Sequence, residues 1–224
     1  MLSPAFYATL DELAAAQSRE WFRANRERVA ADCEQPLLRT LQTAARTMSV
    51  RLPGLRLGEA RLFRMARDVR FSQDKRPYKE HVAGTVASRA GETGAGVDGA
   101  AALFLHIGLQ DRMAGAGVYV LDGAALERYR QRALDEATGS ELHGHVSALR
   151  ACGFEPVAGA SLKKAPRGVD PGHPRIDLIR LKGLALMFPP WPEGIEMSAS
   201  FPDWLAEQAL AALPVVQWMD ACLE

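Results

Sequence analysis

Arg64, Arg67, Arg70, Lys75, Arg76 and Lys79 fall within one stretch, LFRMARDVRFSQDKRPYKEHVAG, which spans residues 62–84 and also holds Asp68, Asp74 and Glu80. The stretch is net +3. A guanidinium grips phosphate or carboxylate through two parallel hydrogen bonds, and an ammonium adds a compact positive charge. Residues of these types at this density fit an anion site, with Arg64, Arg67, Arg70, Asp74, Lys75, Tyr78 and Lys79 as its candidate ligand-binding residues. A second stretch, KKAPRGVDPGHPRIDLIRLKG at residues 163–183, is net +4 and adds Lys164 and Arg167. The whole chain has zero formal charge, so the rest of it must be acidic. Were the two stretches to meet, a neutral protein would own one positive cleft. His173 lies in the second stretch and Asp68 inside the first cluster. They are the candidates for proton transfer.

The same residues could serve in two different ways. Arg67 shares the parity of Met65 and Val69, so an unbroken strand would turn it inward. A buried guanidinium needs an acidic partner, and an Arg67–Asp clamp ordering the loop would then be architecture in a protein-interaction module without a ligand. Interleaved Phe71 and Tyr78 could instead stack nucleic-acid bases. Zero net charge and the lack of a long basic stripe count against that. His173, just before Pro174, has a bland role available as a helix cap.

Other chemistries find little support. No metal site is assigned, although Asp68, Asp74, Asp170 and His173 would suit a hard divalent ion if the two loops met. GETGAGVDG lacks the GK[ST] ending of a phosphate loop, and no cofactor is indicated. There is no G-x-S-x-G elbow, and Cys33, Cys152 and Cys222 lie far apart, as expected of a reducing compartment. The first residues read as a capped helix, not a signal peptide, and no apolar run reaches the ~18 residues of a membrane span. The expected location is the cytoplasm. The expected partner is a phosphorylated or carboxylate small molecule, ahead of nucleic acid, with no membrane.

The elements that must position these residues follow from periodicity. Ser3 and Pro4 start a helix carrying Phe6, Leu10 and Leu13, and Ser18 starts a longer one that runs to Met48 with a bend or break at Pro36. Alternation predicts strands at 62–71, 81–88, 101–109 and 112–121, the last two joined by the Gln110–Asp111 turn. Helices capped by Asp122 and Ser140 come next, then a strand at 184–188 and C-terminal helices interrupted at Pro214. The expected fold is a single α+β domain over residues 1–224, with a mainly antiparallel sheet of about five strands and helices from both chain ends packed on it.

Three stretches carry a family resemblance: REWFRANRERV (residues 19–29), FRMARDVRFSQDKRPYKEHV (63–82) and LKKAPRGVDPGHPRIDLIRLKG (162–183). In this order, over nearly the whole chain, they resemble the family catalogued as domain of unknown function 2461 (DUF 2461). The most specific part is R-D-x-R-F-S-x-D-K-x-P-Y-K. Ala66 stands where members usually carry a tyrosine before the R-D pair, so a phenol there has no counterpart in this chain. The resemblance implies one α+β domain and carries no activity with it.

Overall fold

The computed structural model describes residues 1–70, 73–89 and 101–223. Residues 71, 72, 90–100 and 224, and with them Phe71 and the glycine-rich stretch, lie outside the described residues. The N-terminal helices are α1 (Pro4–Ala16), α2 (Arg19–Ala24), α3 (Arg26–Val29) and α4 (Gln35–Arg51). Ser18 caps α2, accepting the Trp21 N–H at 3.1 Å. The long helix expected from Ser18 is divided at Asn25, and it is not broken at Pro36. A π-helical turn, Ala30–Glu34, widens the backbone just ahead of Pro36. That turn accommodates the missing N–H and the ring, so α4 continues without a stop.

Six strands form one antiparallel sheet in the order β1-β2-β3-β4-β6-β5. They are β1 (Ala60–Leu62), β2 (His81–Ala87), β3 (Ala101–Gly108), β4 (Arg112–Val118), β5 (Glu155–Val157) and β6 (Leu184–Met187). The fold is α+β, as the alternation implied. Two strands depart from expectation. The strand expected over 62–71 ends at Leu62. Strand β5 has no expected counterpart, since it is three residues long with Pro156 in the middle, a composition suited only to a sheet edge.

One face of the sheet carries the core. Val82, Val86, Leu103, Leu105, Ile107, Ala114, Val118, Leu184 and Leu186 are buried beneath α4 and α8 (Phe201–Leu223). Gly84 lets α4 approach, since a Cβ there would lie 2.8 Å from a Leu41 methyl. Helix α8 runs through Pro214, whose exposed position leaves the carbonyl it cannot bond open to water. The alternate residues of the strands point to the other face. There Phe104, Met113, Ala185 and Met187 keep intermediate exposure.

Between β4 and β5 lie α5 (Gly123–Leu134) and α6 (Glu136–Ala151). Helix α6 begins before Ser140, at Asp135, whose carboxylate accepts the N–H groups of Ala137 and Thr138 at 3.1 and 2.9 Å. Ser140 is therefore inside the helix and caps nothing. Gly139, which reads as a breaker, is there for space: a Cβ would meet the Ala133 carbonyl at 2.3 Å and Arg175 Nε at 2.8 Å.

Candidate functional site

The central basic stretch folds back on itself between β1 and β2. Ala66 bridges Tyr78, the Arg67 N–H donates to the Pro77 carbonyl at 2.8 Å and the Lys79 N–H to Met65 at 2.9 Å. Arg67 does not enter the core. Its side chain is 32% exposed and pairs with Asp74, which also holds Arg76 at 2.7 Å. Arg76, ahead of Arg67, keeps the Asp74 carboxyl well below the usual range. Arg70 grips Asp68 through Nε and a terminal nitrogen at 3.0 and 2.7 Å, which lowers the Asp68 pKa. Lys75 donates to the Val69 carbonyl at 3.1 Å. These local pairs stiffen the loop.

Tyr78 goes the other way. It is buried, its ring stacked on Phe22 at 4.1 Å with 10° between planes. Gln17 accepts its N–H at 3.2 Å and donates to Glu80 at 3.3 Å. The first two family-like stretches thus meet at Phe22 and Tyr78. A ring packed in this way is not offered to a nucleic-acid base.

Val82 faces the helices, so His81, at the start of β2, faces the other side of the sheet, and Lys79 stands near enough to His81 to help lower its pKa. Lys79 has no carboxylate partner among the described residues. Burial, then Arg64 and Arg67, hold its ammonium below the usual lysine range. Arg64 is exposed near it and, after Arg70, helps to hold the Asp68 carboxyl down. The His81 ring lies 4.0 Å from the His106 ring. His106, on β3, is buried and bonds Asp111 at 2.8 Å. Burial, then His106 and Lys79, push His81 down to about 4. It is therefore neutral at pH 7. Arg64, Arg67, Lys79, His81, His106 and Asp111 form one group at the end of the sheet where β2 begins.

His81, His106 and Asp111 are not singled out by sequence. The signal available is parity: His81 and His106 take same-face positions on neighbouring strands, with His106 opposite Ala83 in the register.

The second stretch lies elsewhere. His81 pairs with Gly108 at one end of the sheet, and Leu184 pairs with Val118 at the other. Residues 63–80 lead into the first end and residues 163–183 into the second. Strands β2 and β6 are also three spacings apart, about 14 Å. The expected joint cleft is not formed by any hydrogen bond or ion pair among the described residues, because chain direction sends its halves to opposite ends of the sheet. Lys164 and Arg167 are exposed on the far loop. His173 accepts the Arg175 N–H at Nδ1, 3.1 Å away, so its ring is a local turn acceptor remote from Asp68.

That far loop is built around Arg175, which is 6% exposed. It donates to the carbonyls of Ala133, Leu134 and Asp135 at 3.0, 3.2 and 3.3 Å and to Ser140 at 3.0 Å. It thereby closes the junction of α5 with α6. Arg180 turns back to Leu162 and Lys163 carbonyls at 2.7 and 2.9 Å. Tyr129, fully buried, donates to Leu178 at 2.7 Å and holds α7 (Ile176–Ile179) against α5. The charges of this stretch that are buried thus serve the framework.

Among the described residues, no group of three or more His, Cys, Asp or Glu is placed to hold a metal ion. Burial pushes the thiols of Cys33 and Cys222 up to about 12 and about 11, which makes both poor nucleophiles. A cavity beside Ser88 and Asp220 has polar groups that bond one another, at 2.8 Å. Among the described residues, no helix is long and apolar enough to cross a membrane.

A six-stranded antiparallel sheet with helices from both chain ends packed on one face defines an α+β protein. The family model described as "Conserved hypothetical protein (DUF2461)" matches residues 5–218, and the chain belongs to that family. No curated protein and no solved structure matches it.

Proposed function

We propose that the chain binds a small ligand bearing a phosphate or carboxylate group, held by Arg64, Arg67 and Lys79 with His81 beside them. What supports this is Lys79: a partly buried ammonium that feels the charges of Arg64 and Arg67, with no carboxylate partner among the described residues. Holding like charges together in a fold costs stability, and a bound anion relieves it. Neutral His81 offers one ring N–H to the same anion. Lys164, Arg167 and His173 have no part in this site, because they stand at the other end of the sheet. Arg70 and Lys75 support the loop that presents it.

The test is thermal unfolding at fixed ionic strength with increasing inorganic phosphate or butyrate. A ligand of the native state raises Tm as RT ln(1 + [L]/Kd). One of the two anions is expected to raise Tm in wild type and not in Lys79→Gln. Equal shifts in both proteins, or none in either, would remove the site.

A further inference from the structure

The sheet face opposite α4 and α8 carries an apolar groove, and His81 and His106 of the cationic cluster lie at one end of the same face. A cavity of about 610 Å³ lies on it, lined among others by Phe63, Phe104, Met113, Tyr119, Ala185 and Met187. That volume is of small-molecule size, within the roughly 300–1,000 Å³ typical of such sites. Gly115 and Gly117 leave its floor without side chains. Phe63 is 6.3 Å from Phe104, Phe104 is 6.5 Å from His106, and His106 is 4.0 Å from His81. An unbroken row of rings therefore runs from the apolar groove to the cations.

We infer that the ligand is a free amphiphilic carboxylate whose acyl chain lies in this groove and whose head group meets Lys79 and His81. The inference rests on the proposed anion site and adds the body of the ligand to it. Charge complementarity fixes the occupant. A purely apolar partner leaves Lys79 uncompensated, and a purely ionic one leaves Phe104, Met113 and Met187 half-exposed to water. The methionines, flexible and polarisable, suit a chain of methylenes.

The experiment follows the methyl resonances of Met113 and Met187 and the ring resonances of His81 while dodecanoate is added below its micelle-forming concentration. Butyrate and dodecanol serve as controls. Dodecanoate is expected to shift both sets and to bind more than about tenfold tighter than butyrate, since each buried methylene adds affinity. Ala185→Phe should erase that advantage and leave butyrate binding intact; Met113→Gln should reduce it without filling the groove. Dodecanoate no tighter than butyrate, with butyrate still dependent on Lys79, overturns the groove and spares the anion site. Dodecanol equal to dodecanoate, with Lys79→Gln indifferent, overturns both. Self-association of the chain through this face, seen by sedimentation and unchanged by dodecanoate, also overturns the inference.

Discussion

At the scale of single residues, the cluster is defined by what its charges do to one another. His81 is the sharpest case. Its folded value of about 4 lies below its unfolded value of about 6.5, so the unfolded chain binds the extra proton between the two. Its contribution to stability is therefore complete above about pH 6.5 and is lost as pH falls toward about 4. Urea midpoints measured across this window should fall, and His81→Asn should flatten the fall. Lys79→Met is expected to unfold at an equal or higher urea concentration than wild type, because it removes a partly buried ammonium that burial, Arg64 and Arg67 all disfavour. A clear loss of stability would mean that Lys79 has a structural partner. Sequence pattern alone names Arg64, Arg67 and Lys79, the residues of the proposed site. It misses the histidines, because a pair contributed by two strands exists only once the register is known.

At the scale of elements, the two basic stretches part company. The first presents charge to an open sheet face; the second spends Arg175 on a helix junction. Arg175→Ala removes the side-chain donor of the buried Ala133 carbonyl and the ties to Leu134 and Asp135 at the helix junction, at a cost of about 1–3 kcal/mol. Chemical denaturation should show that loss, and anion binding by the surviving native protein should be unchanged. Gly139→Ala should be comparably damaging, since the added methyl meets the Ala133 carbonyl at 2.3 Å. A neutral result for Gly139→Ala would contradict the packing described for the junction. The strands β2, β3, β4 and β6 are legible because one face of each is buried almost throughout, Arg112 at the start of β4 being exposed. The 62–71 segment alternates too, yet its ladder stops after β1. There, paired charges such as Arg67 with Asp74 form the turn where apolar spacing implies strand. Composition cannot show which way a charged residue leaves the backbone; pairing can.

At the scale of the whole molecule, the sheet and the helices from both chain ends share one core. Helices α4 and α8, far apart in sequence, pack together over the same sheet face. We expect unfolding to be a single cooperative step. Fluorescence of Trp21, Trp191, Trp204 and Trp218 and far-ultraviolet circular dichroism should give coincident urea transitions, whereas separated transitions would point to independent units. The fold class is legible because it depends on periodicity, which is local. Among the described residues the two basic stretches stand at opposite ends of the sheet; that depends on which end each connection leaves, and nothing local records it.

The most direct measurement is the pKa of His81, followed by NMR with and without saturating phosphate or butyrate. Without ligand the value should lie near 4. An anion bound between Lys79 and His81 favours the protonated ring, so the bound value should move up toward the ordinary histidine range. A His81 pKa that both anions leave unchanged would contradict an anion site at this end of the sheet.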